Sequence, residues 1–201
     1  MNIQPFVTVG IPTYNSERYI KPCLESILNQ TYTNLEIIIS DNGSTDDTEK
    51  IVLSYNDNRI KFHKNKENLF CYGNYNRIIE LAKGEFLAIY HSDDVYSPYI
   101  VEKEVEFLQN HNKIGAVFTE AYLINSFGSI IDKSVTPEKF SEKDVLNFRE
   151  VYNSFLKFGH FLITSSAMFV KNIFPEVGFF KEENFFSSSD DERWEKLIKE
   201  Y

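Results

Sequence analysis

The sequence predicts an α/β fold, a Rossmann-like three-layer sandwich with a mostly parallel central sheet, on two observations. Short apolar runs of strand length alternate with segments whose apolar residues recur at helical spacing, in the order β-α-β-α-β-α-β. Polar, turn-forming stretches follow the first, second and fourth of those strands. Parallel neighbours need crossover connections, and these are right-handed, so helices cover both faces and ligands belong at the carboxyl ends of the strands.

The first strand is read over residues 6–11. Tyr19, Ile20, Cys23, Leu24, Ile27 and Leu28 then recur at helical spacing, with Asn15 or Ser16 placed to cap the start and Pro22 tolerated in the first turn. Residues 35–40 form an Ile-rich run that reads as a buried strand. Ser44 with Asp47 resembles a capping box, so a helix is expected to begin near Thr45. A third strand is expected over 60–63. Tyr75, Ile78, Ile79 and Ala82 outline a helix that Gly84 can terminate, and residues 86–90 read as a fourth strand. Beyond Ser97 the pattern predicts a helix over about 98–110, a strand within 115–124, a less regular stretch to Phe158, and a return to the sheet over 163–170. From Asp190 onward Trp194, Leu197 and Ile198 share a helix face, and the absence of a closing cap there reads as C-terminal truncation.

The length of 201 residues suits one domain with a single core. A 42% hydrophobic and 25% charged composition is ordinary for a globular protein. The eighteen Phe and twelve Tyr fill a core or supply a surface on which a ligand stacks. The net charge of −9 and the lack of a basic stripe argue against nucleic acid. An anionic ligand would need its charge offset by something other than the protein, which points to a divalent cation held by carboxylates. Two isolated cysteines fit a reduced cytosolic setting and neither a disulfide framework nor a zinc site. No signal peptide or membrane span is read in the sequence, so the expected location is cytoplasmic, or peripheral at the inner face of the membrane.

Asp93 and Asp94 follow the fourth strand, beside His91 and Ser92. Adjacent carboxylates repel each other without a cation or hydrogen-bond donors, so the pair reads either as a site for Mg2+ or Mn2+ or as a solvated turn in which Asp94 caps toward Pro98. Asp41 follows the second strand, where its carboxylate can accept from a base imide or a ribose hydroxyl while Gly43 permits close backbone approach. It reads equally as the start of a helix-capping turn. No Gly-x-Gly-x-x-Gly follows the first strand, and Pro12 occupies that turn, which speaks against a dinucleotide-dependent oxidoreductase.

The runs Val7-Thr8-Val9-Gly10-Ile11-Pro12-Thr13-Tyr14-Asn15, Leu24-Glu25-Ser26-Ile27-Leu28-Asn29-Gln30-Thr31-Tyr32 and Ile39-Ser40-Asp41-Asn42-Gly43-Ser44-Thr45-Asp46 resemble glycosyltransferase family 2 in order and spacing. The likeness continues through Glu67-Asn68-Leu69, Gly73-Asn74-Tyr75-Asn76-Arg77, Ala82-Lys83-Gly84-Glu85-Phe86 and His91-Ser92-Asp93-Asp94, and covers about residues 5–125 well. It implies a fold of the GT-A type and a nucleoside-diphosphate sugar as donor, with UDP-sugars favoured. Residues 1–97 would then form the nucleotide-sugar-binding part of a single domain and residues 98–201 its acceptor-side part.

By the same resemblance, Pro12, Tyr14 and Asn15 line the nucleotide pocket with Glu17 close by. Asp41 binds the base, Asn68 and Asn76 shape the donor floor, and Ser92 and Asp93 belong to the donor site. Asp93, with Asp94 adjacent, is the metal-binding member of an Asp-x-Asp motif. Two positions depart from the family pattern: His91 stands where the motif opens with Asp, and Tyr75 stands where many members carry Arg, a role that Arg77 or Lys83 could take over. Sugar transfer to a hydroxyl needs a base opposite the metal. The segment holding Ser189-Asp190-Asp191 and Trp194 resembles the family's late acidic segment, with Asp191 the preferred base and Asp190 second; both also suit the first turn of a last helix. The implied reaction is metal-assisted and inverting, with a saccharide or lipid-linked saccharide as acceptor. A nucleotide-binding module without transferase activity is the alternative.

Overall fold

The computed structural model describes residues 4–180 apart from positions 135, 141 and 160. The elements run β1 (Val7–Thr13), α1 (Ile20–Leu28), β2 (Leu35–Asp41), α2 (Thr48–Leu53), β3 (Ile60–Lys64), α3 (Phe70–Leu81), β4 (Phe86–Ile89), α4 (Ile100–Asn110), β5 (Ala116–Val117), β6 (Tyr122–Ile124), β7 (Ile130–Lys133), α5 (Phe148–Phe158), β8 (Ala167–Val170) and α6 (Phe174–Val177). The main sheet has six strands in the order β3-β2-β1-β4-β8-β5, and β6 and β7 form a separate antiparallel ribbon.

The alternation expected from the sequence is present. β1 pairs in parallel with β2 from Val7↔Leu35 to Thr13↔Asp41, and with β4 from Val7↔Phe86 to Gly10↔Ile89. β3 extends the parallel part beside β2. β8 is antiparallel to both β4 and β5. Four-residue β8 carries no periodic signal of its direction, and only its pairing reveals it.

Side-chain alternation along the strands divides the core in two. Val7, Val9 and Ile11 of β1, Ile37 and Ile39 of β2, Ala88 of β4 and Met168 of β8 pack with Ile20, Cys23, Leu24 and Ile27 of α1 and with Val101, Val105 and Leu108 of α4. On the opposite face Ile38, Leu87, Ile89 and Phe169 pack with Ile78 and Ile79 of α3 and with Phe174 of α6. The molecule is therefore helix, sheet and helix in three layers. No described helix is long and apolar enough to cross a membrane.

Several local expectations are corrected. Neither Asn15 nor Ser16 caps α1 by its side chain; the Ser16 carbonyl instead accepts from the Tyr19 and Ile20 N–H groups at 2.9 and 2.8 Å. Ser44 and Asp47 form no capping box, because the Ser44 hydroxyl donates to Asp41 and α2 starts only at Thr48, whose N–H donates to Asp46 Oδ1 at 3.0 Å. Gly84 does not end α3, which stops at Leu81. Its glycine is required by close approach: a Cβ there would lie 2.4 Å from Thr8 N, 2.6 Å from Phe86 O and 2.8 Å from Phe6 O. Residues 148–158, expected to be irregular, form α5, and the sign was present as a capping box. Asn147 Oδ1 accepts from Glu150 N–H at 3.1 Å while Glu150 Oε2 accepts from Asn147 N–H at 3.0 Å. As a single domain requires, β5 and β8, beyond residue 97, complete the same six-stranded sheet as the strands before it.

One buried acid marks the layer behind the sheet's functional edge. Glu104 of α4 is 1% exposed and accepts from Tyr90 Oη at 2.6 Å, while its Oε1 has no partner among the described residues. Burial raises its carboxyl well above the ordinary value of 4.5, against the smaller opposing effect of the Tyr90 hydrogen bond. The folded protein keeps this proton while the unfolded chain releases it, so the contribution to stability declines as pH rises above 4.5, by up to about 1.4 kcal/mol per pH unit until the folded carboxyl also ionises. Glu104→Gln is expected to flatten the pH profile of urea unfolding above this point. An unchanged slope between pH 5 and 7 would show that Glu104 ionises freely in the fold.

Candidate functional site

Strand order reverses at β1. The chain moves from β1 to β2 and β3 on one side, then places β4 on the other, so the carboxyl ends of β1 and β4 flank a topological switch point. A cleft of about 400 Å³ opens there. Pro12, Thr13 and Tyr14 line it from the end of β1, Asn42 from beyond β2, Asn68 and Phe70 from the start of α3, and His91, Ser92 and Asp93 from beyond β4.

The three polar loops are tied into one rim by hydrogen bonds between them. Asn15, in the left-handed region at φ 48°, donates its N–H to Ser44 Oγ at 2.8 Å and accepts from Thr45 N–H at 2.9 Å. Glu17 N–H donates to Asp46 Oδ2 and Asp47 N–H donates to Glu17 Oε2, both at 3.0 Å. Ser16 Oγ lies 2.9 Å from Ser92 Oγ, which joins the first loop to the third. Asn15 and Glu17 thus brace the rim, and neither is among the residues lining the cleft.

Asp41 ends β2, fully buried. Its Oδ2 accepts from Ser44 N–H at 3.1 Å, and its Oδ1 accepts from the hydroxyls of Ser44 and Thr13. The carboxylate holds the turn, in which Gly43 takes φ +83°, a conformation that side chains disfavour. Nothing among the described residues lies within 4 Å of a Cβ built at Gly43, so this glycine is needed for its backbone angle and not for close approach.

Asn42 was not singled out in the sequence, yet it organises the opposite wall. Its amide donates to Asn68 Oδ1 at 2.8 Å and to Phe70 O at 3.1 Å, and its Oδ1 accepts from Leu69 N–H at 2.8 Å. These bonds hold Phe70 at φ 56°, with its ring 65% exposed at the cleft, facing the same opening as Tyr14 at 52%. Asn74, buried beneath, donates to Ser40 O at 2.9 Å. Asn76 points elsewhere: its amide exchanges hydrogen bonds with the backbone of Phe180 at 2.7 and 2.8 Å and does not line the cleft. On a helix the two asparagines, two positions apart, cannot share a face.

Beyond β4 stands the charged group. Among the described residues, His91, Asp93 and Asp94 each offer one ligand atom, all within 4.8 Å of one another. The backbone that presents them is fixed from below. His91 N–H donates to Tyr96 Oη at 2.7 Å, and the His91 carbonyl accepts from Cys23 Sγ at 3.3 Å. Tyr96 in turn stacks on Tyr90 with centroids 4.2 Å apart. Burial, reinforced by the charges of Asp94 and Asp93, pushes the Cys23 thiol up, so it remains a proton donor and not a nucleophile. His91 and Tyr75, the two positions that depart from the family pattern, touch: Tyr75 Oη lies 3.0 Å from His91 Nε2. Asp190, Asp191 and the expected last helix lie outside the described residues.

The family profile described as Glycosyl transferase family 2 matches residues 8–178. This chain belongs to glycosyl transferase family 2. Among curated relatives, an uncharacterized glycosyltransferase of Methanocaldococcus jannaschii is 32% identical over 199 residues, covering 97% of this chain and 65% of that protein. The UDP-Glc:alpha-D-GlcNAc-diphosphoundecaprenol beta-1,3-glucosyltransferase WfgD of Escherichia coli is 32% identical over 140 residues, covering 70% of this chain and 54% of WfgD. The chain thus spans about two thirds or less of the relatives it matches. Of solved structures, S. aureus TarS 1-349 in complex with UDP-GlcNAc superposes with a TM-score of 0.75 at 22% identity, over 96% of this chain and 53% of that one. The likeness establishes the GT-A fold expected from the sequence. The His-Asp-Asp group of this family 2 member has donors of the kind a divalent cation takes, two carboxylates and an imidazole at one open edge.

Proposed function

We propose that this family 2 domain transfers a sugar from a UDP-sugar to an acceptor hydroxyl, with inversion at the anomeric carbon, in the synthesis of a polysaccharide or another glycan. The observation that carries this reading is the convergence of Pro12, Tyr14, Asn68, Ser92 and Asp93 on one cleft at the switch point, with the His91-Asp93-Asp94 group at its edge. The UDP-GlcNAc bound by TarS and the donor and lipid-diphosphate acceptor in WfgD's name support a uridine donor and a saccharide or lipid-linked saccharide acceptor. A lipid-linked acceptor would bring the protein to the inner face of a membrane.

In this reading Tyr14 and Phe70 flank the nucleoside, and Asn68 with Ser92 offers hydrogen bonds to the donor. Asp41, Asn15 and Glu17 act on the donor through the rim they hold in place. Asp93 and Asp94 hold Mg2+ or Mn2+, which when bound offsets the charge developing on the departing diphosphate. Asp191, with Asp190 second, takes the acceptor proton as the hydroxyl oxygen bonds to the anomeric carbon and the bond from that carbon to the diphosphate oxygen breaks.

Calorimetric titration of UDP and of GDP, each with and without Mn2+, tests the donor site, and UDP release from a panel of UDP-sugars with saccharide acceptors tests the chemistry. Cation-dependent UDP binding with turnover of at least one UDP-sugar is expected. Failure of both nucleotides to bind in the presence of the cation would overturn the proposal, and UDP binding without any turnover would reduce it to a binding module.

A further inference from the structure

We infer that His91 is a nitrogen ligand of the divalent cation at this donor site, oriented by Tyr75, and that the resulting donor set makes the site select Mn2+ over Mg2+; the inference rests on the donor-binding reading above. A ligand atom of the imidazole lies within 4.8 Å of those of Asp93 and Asp94, so one ion can reach all three side chains. The ring is not free to turn away. Tyr75 Oη sits 3.0 Å from Nε2, and the two rings stack with centroids 6.1 Å apart and planes 23° from parallel. Its backbone is pinned on both sides, at the N–H by Tyr96 Oη and at the carbonyl by the Cys23 thiol.

An imidazole that ligates a metal through one nitrogen donates the N–H of the other to an oxygen, and this outer contact sets both tautomer and ring orientation. Tyr75 supplies that oxygen. With Nε2–H donated to Tyr75 Oη, the lone pair resides on Nδ1 and serves the ion. Two carboxylates alone would suit Mg2+, which is small, takes oxygen donors and loses its water reluctantly. Replacing an oxygen donor by an imidazole costs Mg2+ more than it costs a transition ion, for which nitrogen is a favourable ligand. His91 is therefore a specificity-determining ligand and Tyr75 its positioning residue.

Pulsed electron paramagnetic resonance of Mn2+ bound with UDP reads the ligand directly in the unaltered protein, as modulation from a directly coordinated imidazole nitrogen. The expected result is that modulation in the parent and its loss in His91→Ala. Competition of Mg2+ against Mn2+ gives the selectivity: a preference of about tenfold or more for Mn2+ in the parent, reduced to within about twofold in His91→Ala. Tyr75→Phe, which keeps the ring and removes the hydroxyl, is expected to weaken Mn2+ about tenfold. Mn2+ and UDP binding without nitrogen modulation in the parent, or an unchanged Mn2+ to Mg2+ ratio in His91→Ala, would overturn the inference while leaving the donor site intact. Failure of the parent to bind UDP with either ion would instead remove the donor reading, and the inference with it.

Discussion

Asp93→Asn is expected to lower sugar transfer by about a hundredfold to a thousandfold, the usual consequence of removing one electrostatic partner of a leaving group in a preorganised site. In the presence of Mn2+ its affinity for UDP should fall to the level seen without metal. The effect comes from lost charge at the mouth of the cleft and not from unfolding. Asp93 is exposed, and among the described residues no hydrogen bond or ion pair links its carboxylate to the rest of the fold. Its neighbour Asp94 is like-charged, so neutralising Asp93 relieves repulsion, and the thermal midpoint should hold or rise slightly. Calorimetry, turnover and a melting curve on the same preparation check this. Metal-dependent UDP binding at the parent level would move the cation away from Asp93.

The largest expected loss of stability comes from adding one methyl group at Gly84. Its Cβ would stand 2.4–2.8 Å from three backbone atoms, Thr8 N, Phe86 O and Phe6 O. No rotamer can relieve that contact, because the atoms belong to β1, to the segment before it and to β4. The Gly84 N–H also donates to Thr8 Oγ1 at 2.9 Å, so the turn cannot swing outward without breaking this bond. Overpacking of this kind costs about 3 kcal/mol, which corresponds to a fall of about 6–12 °C in Tm for a domain of this size. Urea and thermal unfolding of Gly84→Ala measure it. A shift smaller than about 2 °C would mean that β1 and β4 can separate at little cost.

The first ninety residues were legible because each element there carries its own period. Ile37, Ile38 and Ile39 form a continuous apolar run because β2 is covered on both faces, and Cys23, Leu24 and Ile27 recur at helical spacing because α1 has one buried side. Convergence of the three polar loops followed from the parallel order alone. What each polar residue does in those loops did not follow. Asn15 and Glu17 proved to be bonded to the loop after β2 and Asp41 to Thr13 of β1, whereas Asn42, which no spacing argument distinguishes, reaches Asn68, Leu69 and Phe70. Such pairings join residues more than twenty positions apart and have no local signature. The capping box at Asn147 and Glu150 does have one, and it would have located α5.

The placement of β8 bears on how the polypeptide is made. The outer rim of β4 offers its amides and carbonyls to a partner that lies some eighty residues downstream, Ala167 to Val170. A ribosome that has released only the segment through β4 therefore exposes an unsealed strand, the kind of template on which other nascent chains can assemble. Synthesis through Val170 closes that seam, so the interval between the two strands is the period in which this polypeptide most needs to be kept apart from its own copies.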